Sequence, residues 1–241
     1  KLASSVFVDA NDAITFASSL LTGQGVSAED SAAIATCLVQ ADLRGVQTHG
    51  MSRLPIYVKR VKRGLVNPVP SMKLTKPMAA CASLDGDNGF GFLVGIRAMR
   101  EAIEMAETCG VGVVSVHNSN HFGMAASYLL QAVTAGYFAF VFTNAAKSMP
   151  PWGGREGLFG TSPFGAAAPA GKLPPFVLDM SPAVAARGKI RLAEKRSEPI
   201  PEGYALDENG QSTTDPTAAL RGVVLPIGTY KGSGISMLME I

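Results

Sequence analysis

Short apolar runs, each cut off after a few residues by glycine, proline or an acidic turn, constrain this chain more than any other feature. Ala79–Leu84, Val111–Val116, Phe138–Phe142 and Phe176–Met180 have the length of strands, the last three with β-branched or aromatic content as well. Between them lie stretches with helical spacing: 90–108 stopped by Gly110, 125–135 punctuated by Gly136, and 183–196. Such alternation predicts an α/β or α+β chain. No apolar stretch approaches the roughly 18 residues that a membrane-spanning helix needs. Hydrophobic residues make up 47% of the 241 positions and charged ones 17%, enough to build a core and too apolar for bulk disorder. The length fits one or two ordinary domains.

The N-terminal third reads as helical. Residues 11–22 form a short amphipathic pattern. Ser27-Ala28-Glu29-Asp30 then resembles a capping box opening a helix that carries Ile34, Cys37, Leu38 and Leu43 and stops at Gly45. A third helix is expected over 53–63 with Pro55 in its first turn, because a deeper proline would remove a backbone bond and clash. Asn67-Pro68-Val69-Pro70 breaks the chain, so a helical region 1–74 and a second region 75–241 are expected. The Gly-, Pro- and Ala-rich stretch 145–175 is too irregular for one element and long enough to suspect function. Asp207-Glu208-Asn209-Gly210 is a turn. Cys37, Cys81 and Cys109 are odd in number and scattered, which favours reduced thiols in a cytosolic protein. Lys1 to Asn11 contains no apolar core of a signal peptide. The final Met237-Leu238-Met239-Glu240-Ile241 is apolar and helix-favouring, which reads as a chain cut short.

Charge excludes some partners. Twenty-one basic against nineteen acidic residues give +2, too weak to point to nucleic acid or a membrane surface. The basic run Lys59-Arg60-Val61-Lys62-Arg63 sits at a helix end, where a solvated face is favoured by the helix dipole.

Several motifs fail on inspection. Gly89-Phe90-Gly91-Phe92-Leu93-Val94-Gly95 looks like a dinucleotide loop, but Asp85 and Asp87 would repel pyrophosphate and the next strand offers no ribose carboxylate. Packing glycines explain it better. Gly165 to Lys172 has the wrong spacing for a phosphate loop, with Leu173 where a magnesium-binding hydroxyl must stand. Gly160-Thr161-Ser162-Pro163 lacks the second glycine of a nucleophile elbow. Three histidines without an H-E-x-x-H pair argue against zinc.

Two histidine segments survive. In Thr48-His49-Gly50-Met51-Ser52-Arg53, the imidazole and guanidinium are four residues apart and precede a helix start. A helical turn would put both on one face, able to exchange a proton and to hold a carboxylate bidentately. Ser119-Asn120-His121-Phe122-Gly123 lies in a loop between a strand and a helix. For either histidine alone, a hydrogen-bonded structural imidazole is the competing explanation.

Together with Ala41-Asp42-Leu43-Arg44-Gly45, Leu158 to Pro163, Leu178-Asp179-Met180-Ser181, Gly188-Lys189-Ile190, Glu198 to Gly203 and Tyr230-Lys231-Gly232, these segments resemble the malate/L-lactate dehydrogenase family of NAD(P)-dependent 2-oxoacid reductases, in order along nearly the whole chain. The resemblance implies a non-Rossmann nucleotide-binding fold with a mixed, largely antiparallel sheet and a helical N-terminal region, in a cytoplasmic homodimer acting on a small carboxylate substrate. It implies that His49 gives or takes a proton, that His121 is a second active-site histidine and that Arg53 anchors the substrate carboxylate. Thr48 keeps a hydroxyl where many relatives have Ser. It places NAD or NADP on Asn144, Thr161, Asp179, Met180, Ser181, Lys189, Lys231 and Gly232, with no metal. A cyclic imino-acid reductase and a non-catalytic nucleotide-binding protein are the alternatives; Lys189, acidic in some imine reductases, speaks against the first.

Overall fold

The structure is a computed structural model that describes residues 7–241; residues 1–6, part of the stretch read above for a leader, lie outside the described residues. Two compact units divide the chain, Lys1–Tyr137 and Phe138–Ile241. The break expected at 74/75 therefore falls inside the first unit, because strands and helices after the Asn67–Pro70 break pack onto the N-terminal helices.

The first unit opens with α1 (Ala10–Thr22), α2 (Ala28–Leu43), two short 3-10 turns (Gln47–His49 and Met51–Arg53) and α3 (Leu54–Lys62). The local causes match the sequence pattern. Asp9 accepts from Asn11 N and Asp12 N at the head of α1, Ser27 Oγ accepts from Asp30 N at the head of α2, and Pro55 lies in the first turn of α3. Then come β1 (Lys73–Met78), β2 (Cys81–Asp85), α4 (Gly91–Cys109), β3 (Val113–His117) and α5 (Ala126–Thr134). β1 and β2 run antiparallel, while β2 and β3 are parallel with Asp85 opposite His117 and α4 crossing between them. Leu21, Ile34, Leu38, Leu54, Tyr57, Phe90 and Phe92 form one core cluster, so α4 is held to the N-terminal helices by its first turn. Each such side chain contributes about 1.5–3 kcal/mol on burial.

The glycine-rich segment leading into α4 is a packing device. A Cβ on Gly91 would lie 2.1 Å from Asn120 O and 2.6 Å from His121 O. Bare backbone there lets the loop after β3 lie directly on the head of α4, and the dinucleotide-loop pattern is absorbed by this contact.

The second unit contains β4 (Ala139–Phe142), β5 (Phe164–Ala168) and β6 (Phe176–Met180) as an antiparallel sheet in the order β4-β5-β6. After it come α6 (Arg187–Arg196), a small antiparallel sheet β8 (Ser212–Thr213), β7 (Ala205–Leu206) and β9 (Val223–Val224), α7 (Pro216–Arg221) and α8 (Tyr230–Glu240). Met149, Ala183, Ile190, Ile200, Ala205, Ala219 and Val224 fill its core. Gly165 lies within β5 opposite Asp179, which disposes of a phosphate loop there. The architecture is mixed α/β with strand pairing mostly antiparallel, as expected, but among the described residues it is spread over three small sheets rather than one. A Rossmann sheet is parallel throughout, and only β2 and β3 pair that way among the described residues. No helix among the described residues is long and apolar enough to cross a membrane.

Gly91→Ala is expected to lower the unfolding free energy by about 1–3 kcal/mol, because the methyl group meets backbone that cannot move aside cheaply. Urea denaturation measures it; an unchanged midpoint would show that the loop after β3 yields.

Candidate active site

His49, Arg53, Tyr57 and Arg60 recur at steps of four, four and three residues through the 3-10 turns and α3. The two turns are separated at Gly50, whose backbone is extended (φ −90°, ψ −152°), so His49 and Arg53 do not share a continuous α-helical turn. Asp42 at the end of α2 holds the break. Its Oδ2 accepts from Met51 N at 2.7 Å, and a Cβ on Gly50 would overlap its carboxylate at 2.0 Å. The Asp42 to Gly50 pair thus anchors the segment that carries the cation.

The loop 118–123 brings the second histidine to the first. The His49 and His121 rings stack with centroids 5.5 Å apart and planes inclined by 15°. Thr48 Oγ1 lies 2.9 Å from His49 Nδ1. Tyr57 Oη lies 2.8 Å from His121 Nδ1, and Gly123 N donates to the same nitrogen at 3.3 Å. Arg53 stands beside the Tyr57 hydroxyl as charge and hydrogen-bond donor. Arg60 Nη2 donates to Asn120 Oδ1 at 2.9 Å, and Asn120 Nδ2 in turn donates to Asn88 O, Asn88 Oδ1 and Gly89 O at 2.9–3.0 Å. Three elements are pinned together by one side-chain amide.

The electrostatics are one-sided. Neither Arg53 nor Arg60 forms an ion pair among the described residues. Arg53 Nε is buried with no hydrogen-bond partner among them. A buried, unsatisfied charged donor is costly unless a ligand supplies an acceptor. Burial first, then the positive charges of Arg53, His49 and Arg60, hold the His121 imidazole down to about 4, so it is neutral near pH 7. Burial raises the Tyr57 phenol, with Arg53 and Arg60 pulling the other way.

In the second unit the antiparallel register gathers most of the expected nucleotide contacts at one end of a sheet. Asn144 follows the end of β4, Thr161 precedes the start of β5, and Asp179-Met180-Ser181 closes β6, with Phe142 opposite Phe164 and Phe164 opposite Met180. Ser181 Oγ donates to Thr161 O at 2.8 Å and accepts from Ala183 N at 3.1 Å. The head of α8 joins the same end: Ile227 N donates to Pro182 O and Gly232 N to Ile227 O, both at 2.8 Å. Lys231 is exposed in the first turn of α8, where Lys231 N donates to Gly228 O at 3.2 Å. Lys189, exposed near the start of α6, makes no hydrogen bond or ion pair with this group among the described residues. Ser162 is fully buried and donates to Glu240 Oε1 at 2.8 Å, so it is no nucleophile.

Over residues 8–241 the sequence matches the malate/L-lactate dehydrogenase family. The chain belongs to that family. It is 43% identical over 217 residues to the L-sulfolactate dehydrogenase of Methanocaldococcus jannaschii, covering 90% of this chain and 63% of that protein. It is 38% identical over 244 residues to a malate dehydrogenase of Pyrococcus abyssi, covering 98% and 67%. The solved structure of the Methanocaldococcus jannaschii sulfolactate dehydrogenase superposes with a TM-score of 0.91 at 40% identity, over 98% of this chain and 68% of that one. The chain thus spans about two thirds of the length of the relatives it matches.

Within the family framework, Tyr57, Arg60 and Asp42 are the site residues that sequence reasoning passed over. The four-four-three spacing from His49 to Arg60 was the available signal. Lys59, Lys62 and Arg63 are solvated as expected, but Arg60 turns toward Asn120.

The depressed His121 has a consequence for stability. In the unfolded chain this imidazole takes up a proton near its ordinary value of 6.5, while in the folded chain it resists until about 4. The unfolded state therefore binds more protons between those values, and stability is lost as pH falls through that window, by up to about 3 kcal/mol. Urea midpoints followed from neutral pH downward should show this fall, and His121→Gln should flatten it. An equal slope in the variant would assign the titration elsewhere.

Proposed function

We propose that this chain carries out hydride transfer between NAD or NADP and a small 2-oxoacid or the corresponding 2-hydroxyacid. The observation that carries the reading is the buried, unpartnered Nε of Arg53 beside two stacked imidazoles, a carboxylate anchor next to proton-exchanging groups. The names of the matched relatives, malate and sulfolactate dehydrogenases, support a small acid as substrate.

The residues of the second unit suit a dinucleotide by their chemistry. An exposed cation in the first turn of α8, with the positive end of the helix dipole, favours a pyrophosphate, and the strand-end residues offer amide and carboxylate partners for sugar and base. Asn144, Thr161, Asp179, Met180, Ser181, Lys189, Lys231 and Gly232 would hold it. A bound nicotinamide supplies the hydride. Arg53 presents Nε and a terminal nitrogen as a fork to the substrate carboxylate and fixes the neighbouring carbonyl. His49 or His121 exchanges the proton at its oxygen, and Thr48 orients the His49 ring through Nδ1. Arg60 positions the His121 loop through Asn120. The family resemblance also supports a cytoplasmic homodimer, and the weak net charge supports a partner other than nucleic acid or membrane.

His49→Ala is expected to lower kcat by about 100-fold or more while cofactor affinity changes by less than about threefold. Near-normal turnover would remove His49 from the chemistry. Arg53→Ala is expected to raise KM for 2-oxoacids about 10–100-fold, the loss of a hydrogen bond to a charged group. Steady-state assays with pyruvate, oxaloacetate and piperideine-2-carboxylate read both. An unchanged KM would refute the anchor, and exclusive turnover of the cyclic imine would replace the oxoacid reading.

A further inference from the structure

We propose that Tyr57 is a proton-relay residue behind His121: its hydroxyl delivers a proton to Nδ1 as Nε2–H protonates the substrate oxygen. The inference rests on the hydride-transfer reading above. Its ground is the set of donors around one nitrogen. Gly123 N–H can only donate, so at 3.3 Å it requires a lone pair on His121 Nδ1. Tyr57 Oη at 2.8 Å must then donate as well. A neutral His121 consequently carries its only proton on Nε2.

That tautomer creates a difficulty which Tyr57 resolves. Giving up Nε2–H alone would leave an imidazolate, far too basic to form near neutral pH. The ordinary remedy, an imidazolium, is scarce here, because burial and the charges of Arg53, His49 and Arg60 keep the ring neutral. Uptake of a second proton at Nδ1 during the transfer removes the problem. When the hydride reaches the carbonyl carbon, the Nε2–H bond breaks and an O–H bond forms on the substrate. The Tyr57 O–H bond breaks and an Nδ1–H bond forms. His121 ends neutral, in its other tautomer, and Tyr57 ends as a phenolate that regains its proton from water.

The surroundings of Tyr57 fit this task. Burial raises the phenol and disfavours its negative form at rest, while Arg53 from the preceding turn and Arg60 from α3 oppose that rise, so the phenolate is a short-lived species of the transfer. The head of α4 contributes the rings of Phe90 and Phe92, edge-on at 6.4 and 5.4 Å, and the buried Tyr128 phenol of α5, held well above its ordinary value, interacts with Tyr57 but stays protonated. The carbonyl end of the path is the anchor Arg53 itself, so one guanidinium serves both the substrate carboxylate and the phenolate.

Tyr57→Phe in the full chain keeps the ring contacts and removes only the hydroxyl. The expected result is a kcat lower by about 100-fold, with KM for the oxoacid within about threefold, and a residual rate falling about tenfold per pH unit above neutrality because the proton must now come from imidazolium. Replacement of Tyr57 by 3-fluorotyrosine, a stronger acid of the same shape, is expected to move the alkaline limb to lower pH. Wild-type kcat and an unchanged pH profile in Tyr57→Phe would overturn the relay, as would a loss confined to thermal stability. Nitrogen-15 NMR of His121 in the free protein tests the same point without turnover: a protonated Nδ1 in the resting state overturns the relay, and a protonated Nε2 with bare Nδ1 supports it. Absence of turnover by the wild type on every acid and imine tried would strike the hydride-transfer reading and the relay with it, whereas a wild type that turns over beside an unimpaired Tyr57→Phe would strike the relay alone.

Discussion

The bare backbone of Gly91 against the carbonyls of Asn120 and His121 sets the height at which the loop after β3 crosses the head of α4. Everything else in the candidate site depends on that height. With the loop seated there, Asn120 can span from Arg60 to the carbonyls of Asn88 and Gly89, and His121 comes level with both Tyr57 and His49. The constraint is steric rather than attractive. A short-range contact between backbones tolerates no side chain, whereas the hydrogen bonds it permits can stretch by tenths of an ångström. Asp42 plays the corresponding part for the other half of the site, fixing where the 3-10 turns break and hence where Arg53 begins its reach.

Local signals in the sequence carried much of the fold. Ser27, Pro55 and Gly110 mark helix boundaries by mechanisms that need no tertiary context, and the structure puts α2, α3 and the end of α4 where they predict. The strand at Phe176–Met180 emerged unchanged. What escaped were elements whose stability comes from partners far along the chain. β5 is Phe-Gly-Ala-Ala-Ala, weak in strand propensity, and exists because β4 and β6 flank it on both sides. β7, β8 and β9 are two residues each, below the length at which alternation can be seen. β1 contains Pro77 and two lysines, which demote it as a strand by composition, yet its antiparallel pairing to β2 is made at an edge that tolerates them.

The site was legible in part for a related reason. Arg53 and the two histidines stand out because histidines are only three in this chain and Arg53 follows His49 at helical spacing just before a helix start. Tyr57 did not, since a tyrosine on an apolar helix face is ordinarily core, and here it is core as well: it belongs to the same buried cluster as Leu38 and Phe90. Its second role shows only when His121, sixty-four residues away in sequence, is seen against its hydroxyl. Asp42 is hidden in the same manner, a helix-end acid whose carboxylate serves a turn nine residues on.

The carboxylate of Glu240 on α8 accepts from Gly160 N at 3.0 Å and from Ser162 Oγ at 2.8 Å, while Ser236 Oγ donates to Gly160 O at 3.3 Å. These bonds join residues 76 to 80 positions apart. The chain entropy of closing so large a loop is spent before any of them returns a benefit, whereas α1 and α2 meet across a handful of residues. Order in the strand-end loop that carries Thr161 is therefore acquired late in assembly, after the helical hairpin has already condensed.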